Sequence, residues 1–253
     1  MNRAEKRREE IVSLINKQGR VSVSELCKSY GISEVTIRSD LEILEGMGKL
    51  SRIHGGAVAQ NKLYLDMDLS ERYKTNADKK RSLAAKLAQY INDNDTIIMN
   101  AGTTLLYVLR AIKDKNNISI VTNSISNATE ASLYSGFNVT LLGGAIEGRY
   151  SFTYGPDSVA QLSKYHATKC ILSVDGITAD YGVSLYYSSE SDLVKKMMES
   201  SIQVFVAADS SKFGKNAFAN VSSLERVDMI FTNKHNNPEF DKIKALGVTI
   251  VEG

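Results

Sequence analysis

The chain has 253 residues, 43% hydrophobic and 24% charged, with a formal net charge of +2; that suits two globular domains and excludes a uniformly basic nucleic-acid binder, so any DNA contact must be local. Cys27 and Cys170 lie far apart in apolar runs, which fits buried thiols in a reducing compartment and excludes a disulfide frame or a zinc site. The first ten residues are charged rather than apolar, and no run approaches the roughly 20 apolar residues of a membrane span, so a cytoplasmic protein with no membrane partner is expected.

Arg3 to Gln18 places Ile11, Val12, Leu14 and Ile15 along one face. This predicts an amphipathic helix, ended by Gly19. Val21 to Val23 alternates and reads as a short strand. Ser24 is expected to cap a second helix, Glu25 to Tyr30, with Gly31 supplying a left-handed turn. Ser33 is expected to cap a third helix, whose Ile37, Leu41 and Leu44 face inward against the first.

That order is the pattern of a helix-turn-helix. The third helix then presents Glu34, Arg38 and Ser39 outward, with Thr36 near its exposed start, where base edges are read. Arg38 is the best reader, because its planar fork bonds two acceptors on a guanine. Helix spacing alone does not separate that role from a solvated arginine. Gly48 to Ala57 predicts a hairpin with Leu50 and Ile53 turned inward, the wing of a winged helix. Arg52 and His54 would then lie beside the duplex backbone, although His54 taken alone is also an ordinary polar turn residue. The candidate DNA-binding residues are thus Ser33, Thr36, Arg38, Ser39, Arg52 and His54.

Thr36-Ile37-Arg38-x-Asp40-Leu41-x-x-Leu44, followed by Leu50-x-Arg52-x-His54-Gly55-Gly56-Ala57, resembles the DeoR family of bacterial transcription regulators. The family pattern has a second basic residue where this chain has Ser39. Asp40 is expected to be structural, pairing or capping within the domain.

Val58 to Asn76 has no periodicity and reads as a connection, with a short ordered piece around Leu69 to Tyr73. Arg72 and Lys80 match basic positions common in the family. Beyond Ala77 helical stretches alternate with apolar runs: Thr96–Met99, Ile118–Val121, Val139–Leu142, Cys170–Val174, Val204–Ala207, Met229–Phe231 and Val248–Val251. Continuous apolar strands between helices predict a mostly parallel sheet covered on both faces. The expected organisation is a winged helix-turn-helix over 1–58, a linker over 59–76 and an α/β effector-binding domain over 77–253.

The loops after those strands carry the polar residues: Asn100 to Thr104, Thr122 to Ser124, Gly143-Gly144, Asp175-Gly176 and Asp209 to Gly214. In open α/β sheets ligands bind at the carboxyl ends of strands. Gly102, Thr103 and Thr104 open a helix, where free N–H groups favour an anion. Ser124 lies at another helix start, Lys212 offers a positive charge, and Asp175 and Glu190 accept from sugar hydroxyls. With Asn100, Asn123 and Gly143 these form the candidate effector site for a phosphorylated sugar or polyol. Any one of these loops alone is ordinary turn chemistry; five on one edge point to a cleft.

Gly102-Thr103-Thr104, Thr122-Asn123-Ser124, Leu141 to Gly144, Gly155-Pro156, Asp175-Gly176-Ile177 and Ala208 to Gly214 also resemble the DeoR sensor domain. The resemblance implies an α/β fold similar to ribose-5-phosphate isomerase that senses a phosphorylated metabolite, its catalytic role lost. Asn100 stands where the family more often has Asp, and Ser173 where Gly is common. The expectation is a repressor of a carbohydrate-utilisation operon, without cofactor or metal. It would act as a homo-oligomer, dimer or tetramer, on double-stranded operator DNA, released by its effector. The alternative is a sugar-phosphate isomerase or amino-sugar-phosphate deaminase with an accessory DNA-binding domain, using Asp175, Glu190 and Lys212 as acid–base groups.

Overall fold

A computed structural model describes residues 3–18, 20–47, 49–58 and 67–253. Gly19, Gly48 and residues 59–66 of the expected connection lie outside the described residues. The chain divides into two compact units, Met1–Met67 and Asp68–Gly253.

In the first unit, α1 (Arg3–Gln18), α2 (Val23–Tyr30) and α3 (Glu34–Gly46) surround one core. Ile11 and Ile15 of α1 meet Leu26 of α2 and Ile37, Leu41 and Leu44 of α3, with Leu50 and Ala57 closing it. The cap of α2 is Ser22, not Ser24. Ser22 accepts from the Glu25 N–H while Glu25 reaches back to the Ser22 N–H, a reciprocal box that satisfies two orphan donors. Gly31 ends α2 in the left-handed region, at φ 63°. Ser33 caps α3 through the Thr36 N–H.

Three short antiparallel strands complete the unit in the order β1 (Arg20–Ser22), β3 (Gly56–Val58), β2 (Ser51–Ile53). Leu50 is buried but Ile53 is 41% exposed. Extended backbone alternates faces with period two, so residues three apart do not share an inward face. Asp40 is buried and accepts from Arg7 Nε at 2.6 Å and Arg8 Nε at 2.8 Å, tying α3 to α1. Cys27 is half-buried rather than buried, whereas Cys170 in the second unit is fully enclosed.

The second unit is built on a seven-stranded sheet in which every neighbouring pair is parallel. Its order is β15 (Thr249–Glu252), β14 (Met229–Thr232), β12 (Ser201–Ala207), β9 (Ala167–Leu172), β4 (Thr96–Met99), β5 (Ile118–Thr122), β6 (Phe137–Leu141). Both faces are covered. Ile98, Cys170, Leu172, Val204 and Val206 belong to one core, and their neighbours Ile97, Met99, Ile171, Phe205 and Ala207 to the other. This two-residue alternation between two apolar layers is why the strands read as unbroken apolar runs.

α5 (Ala77–Ala88) and α6 (Thr103–Ala111) cover one layer. α9 (Ser188–Glu199) and α10 (Pro238–Ala245) cover the other. α7 (Ile125–Ala131) follows β5, and α8 (Pro156–Leu162) follows the hairpin β7 (Ala145–Glu147) and β8 (Phe152–Tyr154). A second small sheet pairs β10 (Gly176–Thr178), β11 (Gly182–Leu185) and β13 (Ala219–Ser222). Residues 68–76 pack on this unit. Asp68 caps α4 (Leu69–Lys74) in a box with Glu71, and the Tyr73 ring stacks on Tyr107 at 4.7 Å.

Chain order reverses at the centre of the sheet. From β4 the chain runs outward through β5 to β6, then returns to place β9 on the other side of β4. The loops after β4 and β9 lie side by side at this reversal, where such sheets form the crevice that binds ligands.

Candidate functional site

In the first unit the helix-turn-helix geometry is complete. Arg38 and Ser39 stand exposed on α3, as does the His54 turn between β2 and β3. A cleft of about 300 Å³ between α3 and the hairpin is lined by Arg38, Glu45, Arg52 and His54 among others. The structure thus brings three of the six expected DNA-binding residues to one concave surface. Arg38 pairs with Glu34 one turn earlier at 3.1 Å, both exposed. Arg52 is positioned by Glu45, which accepts from its backbone N–H and its Nε, each at 2.8 Å. Those two bonds hold the Glu45 carboxyl below its usual range. Ser33 and Thr36 are turned toward each other, their hydroxyls 3.0 Å apart. Val35, which sequence reasoning passed over, is 78% exposed beside Thr36. Its signal was an apolar residue off the inward face at the start of a recognition helix.

In the second unit the crevice between β4 and β9 gathers most of the polar residues expected there. Asn100, fully buried, bridges the two loops: its Nδ2 donates to the Ser173 carbonyl at 3.0 Å, and its Oδ1 accepts from the Ser173 N–H at 2.8 Å. Asn makes this two-way bond where a carboxylate has no donor. Asn100 and Ser173, the two positions of this unit that depart from the resembled pattern, therefore meet in space. Gly102 packs directly against Ser173. A Cβ there would sit 2.3 Å from the Ser173 Cβ.

Glu190, at the first turn of α9, reaches the other side of the same peptide. Its Oε1 accepts from Asn123 Nδ2 at 3.0 Å and from the Ala101 N–H at 3.4 Å. Burial pushes its carboxyl up to about 7, against those two donors. Asn127 Nδ2 donates to the Asn100 carbonyl, and Ser124 caps the Asn127 N–H. Asn123, Asn127 and Ser124 are thus part of one hydrogen-bonded floor.

The cations lie on the opposite wall. Lys80, on α5, donates from Nζ to Thr103 Oγ1 at 3.0 Å and to the Arg72 carbonyl at 2.6 Å. Burial, then the nearby Lys212 and Arg72 charges, bring its ammonium down to about 8 against the pull of Asp209. Lys212 and Arg72 both approach Asp175 Oδ1, at 3.6 and 3.4 Å, while Asp175 Oδ2 accepts from the Tyr186 N–H. Asp209 is buried, yet Lys212 and the Ser211 groups hold its carboxyl below the usual range. Lys80, Arg72 and Asp209 were not among the expected site residues. Arg72 and Lys80 match basic positions of the resembled family, but their roles are not readable until the fold places them here. Thr104 is buried beside Thr103. Gly143 does not join the cluster: its N–H donates to Gln161 and its carbonyl accepts from Ser158, both on α8.

Comparison with known proteins decides the family. Residues 75–234 match the DeoR C terminal sensor domain, and residues 7–62 match the DeoR-like helix-turn-helix domain. The chain belongs to the DeoR family. An uncharacterized HTH-type transcriptional regulator of Bacillus subtilis (strain 168), YulB, is 36% identical over 241 residues, covering 95% of this chain and 92% of its own length. The glycerol-3-phosphate regulon repressor of Escherichia coli (strain K12) is 30% identical over 223 residues, 88% of each chain. Ribose 5 phosphate isomerase A from Neisseria gonorrhoeae aligns over 53% of this chain and 52% of its own at 18% identity and a TM-score of 0.40. That likeness is too distant to say anything of ligand or reaction. This DeoR-family protein is a DNA-binding transcriptional regulator, not an enzyme. Among the described residues no helix is long and apolar enough to cross a membrane.

Proposed function

We propose that this regulator represses a carbohydrate-utilisation operon from the cytoplasm and leaves its operator when a phosphorylated sugar or polyol binds the sensor. The observation that carries the effector reading is the buried Lys80 ammonium, 3.0 Å from Thr103 Oγ1 at the first turn of α6. A nine-residue helix start with a hydroxyl and a cation beside it suits an anion. Glu190 and Asn123 on the floor, and Asp175 beside the cations, offer acceptors for hydroxyls, so one ligand with a phosphate and a polyol tail suits the site. The name of the Escherichia coli glycerol-3-phosphate regulon repressor supports that ligand class. Gly102, Thr103, Thr104, Asn123, Asp175, Glu190 and Lys212 are the effector residues in this reading. Asn100 and Ser124 shape the floor, and Gly143 holds α8.

The DNA-contacting set is Arg38, Ser39, Arg52 and His54, with Ser33 and Thr36 at the N-terminal end of α3. A homo-oligomer presents two such heads to repeated half-sites. The ligand releases the operator only by its differential affinity for the two forms. A thermal-shift screen of sugar and polyol phosphates tests the sensor reading. At least one phosphorylated member raises the melting temperature while its unphosphorylated parent does not. Equal shifts from both, or none from any, would contradict it.

A further inference from the structure

We propose that Arg72 is a ligand for the effector's anionic group supplied by the segment leading from the DNA-binding unit, so that a bound anion fastens α4 to the crevice. This rests on the phosphorylated-effector reading above and concerns how that site reaches the rest of the chain.

Arg72 lies on the six-residue α4, which Asp68 caps. No residue of α4 is buried. Its attachment is instead polar and aromatic, and it converges on the crevice. The Arg72 side chain is 11% exposed, with Nη2 3.4 Å from Asp175 Oδ1. Its guanidinium stands 4.6 Å from the Tyr150 ring centroid. Its carbonyl accepts from Lys80 Nζ and from Thr103 Oγ1, at 2.6 and 3.4 Å. Tyr73 and Asn76 hold the segment's end: the Tyr73 ring stacks on Tyr107 and its carbonyl accepts from the Tyr107 hydroxyl at 3.0 Å, and Asn76 Nδ2 donates to Asp209 Oδ1 at 3.3 Å. Asp175, Lys80 and Thr103, each in contact with Arg72, thus belong to the proposed effector site or adjoin it.

Charge decides whether a ligand would push Arg72 away or draw it in. Arg72, Lys80 and Lys212 converge on one wall, and Asp175 Oδ1 is shared by two of them. An anion between these cations relieves their mutual repulsion. The planar guanidinium is the group best shaped to meet two phosphate oxygens at once. Lys80 has three donors, and two are used on Thr103 and Arg72, which leaves one for an anion without releasing α4. Ligand and segment therefore reinforce each other. An element with little buried apolar surface opens easily, so it registers such a gain strongly.

Hydrogen exchange on the full-length protein, with inorganic phosphate as probe and chloride matched for ionic strength, tests this. Saturating phosphate is expected to slow exchange of the 68–76 amides by about fivefold or more, together with the amides of residues 101–105. Phosphate affinity, read by thermal shift, is expected to fall about tenfold in Arg72→Gln and less in Arg72→Lys, which keeps the charge but not the fork. Phosphate that protects 101–105 while leaving 68–76 and the Arg72→Gln affinity unchanged would overturn the role of Arg72 and leave the effector site standing. Phosphate that neither stabilises the protein nor protects either segment would remove the anion site, and this inference with it.

Discussion

Arg38 and Glu34 sit one helical turn apart on an exposed face, where such a pair contributes little to stability. Arg38 is thus available to exchange its carboxylate for a base edge. Arg38→Ala is expected to cost about 1–3 kcal/mol of operator affinity, measured by fluorescence anisotropy, with the thermal response to effector unchanged. Glu190 makes the opposite kind of prediction. Burial holds its carboxyl at about 7 in the folded protein, against an ordinary value of 4.5. Between those values the folded state keeps a proton that the unfolded chain has lost. Stability therefore falls as pH rises through that window and levels off above it. Glu190→Gln removes this slope, worth roughly 3 kcal/mol at most, and urea midpoints between pH 5 and 8 read it. Arg38 was legible as a candidate because it sits at a fixed offset from a recognisable helix start, and Glu190 only as a carboxylate able to accept from sugar hydroxyls. Lys80 and Arg72 were not, because only the fold brings α4 and α5 against the loops at residues 100–104 and 175.

At the scale of elements, local chemistry set most boundaries. Ser22-x-x-Glu25 is a capping box visible in the residues, and it places the cap of α2 two positions before the one expected at Ser24. Ser22→Ala is expected to destabilise the first unit by about 1 kcal/mol, seen as a lower urea midpoint of its unfolding step. Asp40→Ala should cost more, on the order of 2–3 kcal/mol, because it leaves Arg7 and Arg8 without their shared carboxylate; those arginines keep some water, so the loss stays below that of a fully buried pair. The seven parallel strands were legible because both faces are apolar. The small sheet of β10, β11 and β13 and the hairpin of β7 and β8 were not, since strands of three or four residues carry too little alternation to register. The inward turn expected of Ile53 failed for the same reason: two residues of a short hairpin were read without its register.

For the whole molecule, the heads and the sensors have distinct chemistry. One unit exposes arginines on a recognition helix and hairpin; the other collects buried cations and carboxylates at the reversal of strand order in its sheet. The family assignment joins them as regulator and sensor, and a phosphorylated ligand is the input that the buried Lys80 and Thr103 favour. Ligand binding at the sensor is predicted to weaken operator binding at the head. Anisotropy of a labelled duplex from the DNA upstream of the protein's own gene, titrated with full-length protein at fixed salt, measures it directly. The titration is run with and without the sugar or polyol phosphate that gives the largest thermal shift. Saturating ligand is predicted to reduce operator affinity tenfold or more, about 1.4 kcal/mol, and its unphosphorylated parent to leave it unchanged. Operator affinity that stays the same at a ligand concentration shown to fill the sensor would rule out this coupling.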